Sequence, residues 1–323
     1  MARVYDAQTL QGIVDSIAER MVGEVERGVV ANYIPELATV NLNQFGIAIV
    51  LANGEVICAG DAEVPFSIQS ISKVLTLTLA LERCGATLWQ RVGREPSGDP
   101  FNSIIQLEYE KGVPRNPFIN AGAIVTADVV LEGQKPDQAV DQILDLCRRA
   151  AGDDDIFVDQ NVAKSEAQTG HRNRALAQFI SAENNLRCTV EDTLSVYFRQ
   201  CSIAMSCRQL AHLGRYLALG GQLAETDDAI ITQERTRRIL ALMMTCGAYD
   251  ASGDFAFRIG IPAKTGVGGG ILGIVPGVAS VAAWCPGLDN KGNSLLATRA
   301  LDDLVRQAGW SLFTGDVHFS LEE

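Results

Sequence analysis

The sequence has few of the residues from which metal sites and histidine-dependent hydrolases are built. Its three histidines, His171, His212 and His318, lie far apart, and the H-E-x-x-H pattern does not occur, so no metal site is indicated. The G-x-S-x-G turn is also absent, which disfavours a Ser–His–Asp triad. We therefore predict a site that uses neither a metal nor another cofactor.

Signals for disulfides, export and membrane insertion are also missing. The eight cysteines form no C-x-x-C pair, which favours reduced and mostly buried thiols. The first residues lack the apolar core of a signal peptide, and no uninterrupted apolar run is long enough to cross a bilayer. We expect a cytoplasmic protein with no membrane partner.

Basic residues are in the minority, with 27 Lys and Arg against 39 Asp and Glu and a net charge of −12. Without a basic stripe to neutralise phosphates, nucleic acid is not expected as a partner. Apolar residues make up 47% and charged residues 20%, as in ordinary globular domains. An anionic group of a small substrate would therefore need a local positive site or oriented backbone amides.

Strand patterns stand at both ends of the chain, and helical patterns fill the middle. An amphipathic helix is predicted over 9–27, followed by a β-hairpin around Asn53-Gly54. Residues 76–245 are mainly helical in pattern, and a last helix is expected at roughly 294–308. The clearer helical segments are 75–83, 141–149 and 208–219, with loops at 95–98, 114–117 and 153–155; the late strands are F-A-F-R-I-G (255–260), G-I-L-G-I-V-P (270–276) and V-A-S-V-A-A-W-C (278–285).

This order predicts an α+β fold with an antiparallel sheet assembled from the two termini and flanked by helices. We expect one catalytic unit over 1–323, with 1–75 and 246–323 forming a sheet lobe and 76–245 a mainly helical lobe. A small-molecule cleft is expected at the seam between the lobes.

Two short motifs indicate serine chemistry. Ser70 and Lys73 form S-x-x-K in a predicted helix over 66–83, and Lys264-Thr265-Gly266 forms K-T-G. Alone, each has an ordinary alternative: a capping serine with a solvated lysine, and a flexible or phosphate-binding glycine loop. The order and separation of the motifs favour a Ser–Lys pair, and the strand pattern after the glycines disfavours a phosphate loop.

Longer stretches around these motifs resemble the serine-dependent glutaminases of the β-lactamase-like (DD-peptidase-like) fold, in the short bacterial form. The resemblance covers nearly the whole chain. It departs from β-lactamases because neither S-D-N nor Y-x-N occurs. The stretches are N-Y-I-P-E-L (32–37), Q-S-I-S-K (69–73), P-R-N-P-F-I-N-A-G-A (114–123), S-E through G-H-R-N (165–173), C-G-A-Y-D (246–250) and A-K-T-G-V (263–267).

The resemblance implies hydrolysis of the side-chain amide of L-glutamine to glutamate and ammonia. Ser70 would be the nucleophile, and Lys73 a base that is neutral when it acts. Tyr249 would relay protons, although a core tyrosine is its ordinary alternative. The backbone N–H of Val267 would help to stabilise the oxyanion. Lys264 would supply part of the positive field that lowers the pKa of Lys73.

The resemblance also implies a substrate pocket and a homodimer or homotetramer. Glu166 would pair with the α-ammonium, although singly it is more often a solvated helix charge. Asn120, Asn173 and Tyr33 would contact the α-carboxylate or the amide, and Tyr197 would close the pocket. A β-lactam enzyme and a non-catalytic glutamine sensor are the alternatives; the first lacks its middle motif, and the second would leave Ser70 idle.

Overall fold

The computed structural model describes residues 6–98, 102–223 and 228–313. Helices α1–α12 span Ala7–Gly23, Lys73–Cys84, Ile105–Tyr109, Asn120–Leu131, Pro136–Ala151, Gln160–Thr169, His171–Ala182, Val190–Cys201, Cys207–Ala218, Gln233–Cys246, Ser252–Arg258 and Leu295–Ala308. Strands β1–β8 span Gly46–Leu51, Val56–Gly60, Phe66–Ser67, Phe157–Val158, Ile203–Met205, Ala263–Thr265, Gly270–Val275 and Ala279–Trp284. No described helix is both long and apolar enough to cross a membrane.

The main sheet is antiparallel and joins the two ends of the chain, as predicted. Its strand order is β2-β1-β8-β7-β6, and Ile49 of β1 lies opposite Val281 of β8. Every residue of β1, β7 and β8 is buried, because α1 and α12 cover one face of the sheet and α9 covers the other. The sheet therefore lies between two helical layers, and the predicted hairpin turn at Asn53-Gly54 is confirmed.

The middle of the chain is mainly helical, as predicted, and its centre is α4. All twelve residues of α4 are buried, because α2 and α8 pack against it. Two strands in this region were not predicted: β4 and β5 form a small sheet with β3 in the order β3-β5-β4. They were missed because each has only two or three residues, too few to show a period. The lobe boundaries at 75 and 246 stay a prediction.

The segment F-A-F-R-I-G was predicted as a strand and is wrong, since it lies in and just after α11. Phe255 and Ile259 are buried four residues apart, whereas Phe257 is 90% exposed. Burial with a four-residue spacing is typical of a helix, whereas a strand would have placed all three side chains on one face. The alternating apolar letters were therefore misleading.

The first helix has different ends from those predicted. It begins at Ala7, because Asp6 accepts a hydrogen bond from the amide of Thr9, and it ends at Gly23. Residues 24–27, which the prediction placed in this helix, lie beyond it, and Val25 is exposed. The strands G-I-L-G-I-V-P and V-A-S-V-A-A-W-C and the final helix are confirmed.

Candidate active site

Ser70 lies in a tight turn, not within the helix predicted over 66–83. Phe66–Ser67 is a strand, Gln69–Ser72 is a 3-10 turn, and α2 begins only at Lys73. The backbone of Gln69 has φ +49, in the left-handed region, which explains why the helix cannot start earlier. Such strain persists only where the surroundings hold it, and it is concentrated at functional sites. Here the Gln69 side chain donates to Ser67 Oγ at 3.0 Å.

The glycine-rich loop after β6 packs directly against this turn. A Cβ on Gly266 would lie 2.4 Å from the carbonyl oxygen of Ile68, and one on Gly268 would lie 2.1 Å from that of Ser67. Only glycine permits these approaches. They bring the backbone of Val267 next to Ser70, and strand β7 follows the loop as predicted.

Tyr249 also reaches this point. Its hydroxyl forms hydrogen-bond contacts with the Ser70 side chain and the Val267 backbone, and it donates to the Thr265 carbonyl at 3.4 Å. Burial raises the pKa of Tyr249 well above its usual value, so the hydroxyl stays protonated at neutral pH. Tyr249 is a further non-glycine residue with positive φ, at +53.

Lys73 is fully buried beneath Ser70. Its ammonium donates to the carbonyl oxygen of Phe118 at 3.1 Å and to Asn120 Oδ1 at 2.7 Å. Burial lowers the pKa of Lys73 to about 8, and the carboxylate of Glu166 opposes that shift. A substantial neutral fraction therefore exists at slightly alkaline pH.

Lys264 is the second buried lysine. It donates to the carbonyl oxygens of Gly247 and Thr265 at 2.9 and 2.7 Å, and its Nζ lies 4.5 Å from the centre of the Tyr249 ring. Burial, helped by the charge of Lys73, holds the pKa of Lys264 well below its ordinary value. Lys264 therefore lies against the Tyr249 ring, and its charge is close enough to that of Lys73 to interact with it.

A cavity of about 350 Å³ opens above Ser70. The structure brings seven of the predicted residues to its wall: Tyr33, Ser70, Asn120, Glu166, Asn173, Tyr197 and Val267. Lys73 lies below this wall. Tyr249 lines a neighbouring cavity of about 300 Å³ and meets the first one through its hydroxyl.

One polar end of the cavity contains Glu166 and the two asparagines. Burial raises the pKa of Glu166 to about 7, whereas a hydrogen bond from Gln69 and the charge of Lys73 lower it. Asn120 Nδ2 donates to Asn173 Oδ1 at 2.9 Å. This end is suited to the charged groups of a free amino acid.

The sequence did not single out six other residues of the cavity wall: Gln69, Asn102, Thr169, Gly170, Arg172 and Cys201. Some had a signal. Gln69 and Arg172 each precede a predicted site residue, and Cys201 follows Tyr197 by four positions on α8, which places both on one helix face. Nothing in the sequence pointed to Asn102. It is held at the cavity wall by its backbone oxygen, which accepts a 2.9 Å hydrogen bond from Arg172.

Charge and geometry fit acyl transfer to a serine. A hydroxyl, a lysine of lowered pKa and a backbone amide meet at one point, next to a carboxylate. In the part of the chain that the structure describes, no group of three or more His, Cys, Asp or Glu side chains could hold a metal ion.

Comparisons with known proteins agree with this arrangement. A family model described as Glutaminase matches residues 28–313. A glutaminase of Azorhizobium caulinodans is 58% identical over 306 residues, which cover 95% of this chain and 99% of that protein.

Solved structures are similar over almost the full length. The probable glutaminase ybaS has a TM-score of 0.92 at 39% identity, covering 96% of this chain and 100% of that one. A probable glutaminase from Bacillus subtilis, complexed with 6-diazo-5-oxo-L-norleucine, has a TM-score of 0.82 at 32% identity, covering 97% and 98%. These neighbours share the β-lactamase-like fold that the sequence predicted. The chain belongs to the glutaminase family and is an amidohydrolase.

Proposed function

We propose that this glutaminase hydrolyses the side-chain amide of L-glutamine through an ester on Ser70. The observation that carries the proposal is the contact between the Tyr249 hydroxyl and the Ser70 side chain, with the lowered-pKa amine of Lys73 buried beneath. An amide is a weak electrophile, so a serine hydroxyl can attack it only when a base removes its proton and the oxyanion is stabilised.

In the first step, Ser70 Oγ forms a bond to the carbonyl carbon of the substrate. Its proton passes through the Tyr249 hydroxyl towards neutral Lys73, because Tyr249 is the group in contact with Ser70. The negative charge that develops on the substrate oxygen is met by the backbone amides of Ser70 and Val267. The carbon–nitrogen bond then breaks, and the same proton returns to the leaving nitrogen, which departs as ammonia.

In the second step, water attacks the ester carbon and the route runs in reverse. Lys73, again neutral, receives the proton of the water through Tyr249, and Ser70 recovers a proton as the ester bond breaks. Glutamate is released. Burial keeps Tyr249 protonated between steps, which suits a relay that both accepts and donates.

Recognition of the amino-acid end is assigned to the polar wall of the cavity. Glu166 accepts from the α-ammonium, a charge-assisted contact. Asn173 and Tyr33 contact the α-carboxylate, and Asn120 shares this role with its second amide hydrogen while its oxygen holds Lys73. Tyr197, which is buried, closes the wall near the side-chain amide.

The sequence-derived expectations of one catalytic unit over 1–323 and of a homodimer or homotetramer are kept as part of this proposal. The cavity supports the first, because its wall combines Tyr33 and Ser70 from the first 75 residues, Val267 from beyond 246 and Glu166 from between them. Neither lobe alone holds the full set of side chains.

The test is to locate the ester. The enzyme is incubated with 6-diazo-5-oxo-L-norleucine, an amino acid with a diazoketone in place of the amide, and the labelled peptide is identified by mass spectrometry. We expect the label on Ser70, and we expect Ser70→Ala to fold normally and release no ammonia from glutamine. The exposed Ser16→Ala is the matched control and keeps full activity.

Cys201 is the informative competitor, because it lines the same cavity. Burial raises the pKa of its thiol to about 12, so very little nucleophilic thiolate exists at neutral pH. A label on Cys201, or a Ser70→Ala enzyme with substantial ammonia release, would overturn the serine mechanism.

A further inference from the structure

The turn that presents Tyr249 is held by two side chains outside the substrate cavity, Ser252 and Asn293. We propose that both are positioning residues, which keep the Tyr249 hydroxyl against Ser70 by fixing a strained backbone. This inference rests on the proton-relay role proposed for Tyr249. Neither residue touches the reacting atoms, so both act through Tyr249.

The backbone around Tyr249 is in an unfavourable conformation. Helix α10 ends at Cys246, and Tyr249–Ala251 forms a 3-10 turn before α11 begins. Tyr249 has φ +53, a region that large side chains rarely occupy. A bulky residue stays there only when its neighbours fix the peptide groups on both sides.

Ser252 holds the backbone on both sides of the Ala248–Tyr249 dipeptide. Its hydroxyl donates to the carbonyl oxygen of Tyr249 at 2.8 Å and accepts from the amide of Ala248 at 3.0 Å. The side chain is 5% exposed, so water is a poor substitute for it. The hydroxyl of Ser252 thus links the amide of Ala248 to the carbonyl of Tyr249. Helix α11 begins at Ser252 itself.

Asn293 fixes the remaining polar group of Ala248. Its side-chain Nδ2 donates to the Ala248 carbonyl at 3.3 Å, and its backbone N–H donates to Asp289 Oδ1 at 3.0 Å. It lies in the loop before α12 and is 3% exposed. The loop also packs on the site: a Cβ on Gly292 would lie 3.9 Å from the Tyr249 ring and 3.8 Å from the Val267 side chain.

Together these bonds hold the peptide groups that set φ of Tyr249. The hydroxyl is at the far end of the tyrosine side chain, so a small rotation of the turn displaces it by more than a hydrogen bond tolerates. Relief of the positive φ would therefore break the contact with Ser70 and leave the substrate cavity, whose wall excludes Ser252 and Asn293, largely unchanged.

The experiment is a double-mutant cycle on glutamine hydrolysis, with KM and kcat measured separately at a temperature well below unfolding. Ser252→Ala is expected to lower kcat by about 10- to 100-fold with little change in KM, because a misplaced catalytic group costs rate. Ser252→Thr keeps the hydroxyl and is expected to restore most of kcat. Asn293→Ala repeats the test from the other side of the turn.

The decisive arm uses Tyr249→Phe, which lacks the hydroxyl. If Ser252 acts through that hydroxyl, Ser252→Ala lowers kcat no further in the Tyr249→Phe background. The control is Ser206→Ala, which removes a buried capping hydroxyl at α9, lowers Tm and leaves kcat unchanged.

The outcomes separate the two proposals. A Tyr249→Phe enzyme with normal kcat would contradict the relay itself. An inactive Tyr249→Phe enzyme, with normal kcat in both Ser252→Ala and Asn293→Ala, would overturn the positioning role alone. An equal loss of kcat from Ser252→Ala with and without the tyrosine hydroxyl would also overturn it.

Discussion

The Lys73 ammonium nitrogen lies 2.7 Å from the side-chain oxygen of Asn120. Since an ammonium only donates, this contact fixes the orientation of the Asn120 amide and turns its nitrogen towards Asn173 Oδ1, 2.9 Å away. The Asn173 side chain lines the cavity. Lys73 therefore orients Asn120 and, through it, Asn173, whose side-chain nitrogen is the donor that we propose for the substrate carboxylate.

Asn120→Asp tests this relationship. A carboxylate in place of the amide oxygen would raise the pKa of Lys73, because an opposite charge at hydrogen-bond distance favours the ammonium. We expect kcat/KM at neutral pH to fall by more than about tenfold and to recover partly at alkaline pH. Asn120→Ala is the control, since it removes the acceptor without adding charge. It should not shift the midpoint of the pH profile of kcat/KM to higher pH. If the midpoint of the pH profile is unchanged in the aspartate variant, Asn120 does not influence the pKa of the catalytic base, and the relationship is contradicted.

The pH dependence of kcat/KM follows from two buried groups. In the proposed mechanism, Glu166, with a pKa of about 7, must be ionised to bind the α-ammonium, and Lys73, with a pKa of about 8, must be neutral to accept a proton. Both active forms are deprotonated, so kcat/KM is expected to rise with pH and to level off above the pKa of Lys73.

Glu166→Gln separates the two titrations. The variant should keep the rise that belongs to Lys73 and lose the one that belongs to Glu166. Because it removes the charge opposite the α-ammonium, substrate stabilisation should fall by about 2–5 kcal/mol. The readout is kcat/KM for glutamine across the pH range, and a variant with wild-type kcat/KM would remove Glu166 from the site.

Lys73→Arg distinguishes a base from a fixed positive charge. A guanidinium does not lose its proton at any usable pH, so this variant should be nearly inactive although it keeps the charge. Lys73→Ala should be equally inactive, because it removes the proposed acceptor of the serine proton. Turnover near the wild-type rate in the arginine enzyme would contradict the general-base role and leave proton transfer to Tyr249 alone.

The sequence predicted the members of the site better than the backbone that carries them. Ser70 and Lys73 were singled out by a motif, and Glu166 and Val267 were singled out with the family resemblance; the structure brings all four to one cavity or directly beside it. The strained turn at Gln69 could not be read from the sequence, since its φ is imposed by packing of the glycine loop against Ser67 and Ile68. The helix predicted across Ser70 failed for that reason.

Longer patterns were read correctly and short ones were not. The hairpin, β7, β8 and the last helix have enough residues to show a period, whereas β4 and β5 do not. The segment 255–260 was predicted wrongly because the sequence does not show which of its three apolar side chains is exposed to solvent. Predictions that depend on partners or place, such as the oligomer and the cytoplasm, stay predictions.

The last prediction concerns Asp128, a buried carboxylate that supports the helical region. Asp128 is fully buried in α4, and its oxygens accept hydrogen bonds from Arg91 at 2.5 Å and from the amides of Arg187 and Cys188. Asp128→Ala leaves the guanidinium and both amides without this partner. Removal of one member of a buried pair costs about 3–5 kcal/mol of unfolding free energy.

The neighbouring pair of Glu132 and Arg187 supplies the matched control for that variant. Both side chains are largely exposed, and their nitrogen–oxygen distance is 3.0 Å. Glu132→Gln should therefore change the unfolding free energy by less than about 1 kcal/mol. Urea unfolding of both variants measures the difference, and kcat of the folded Asp128→Ala enzyme should stay near wild type, because Asp128 does not line the cavity. Equal stability losses in the two variants would show that burial of Asp128 carries no special weight in the fold.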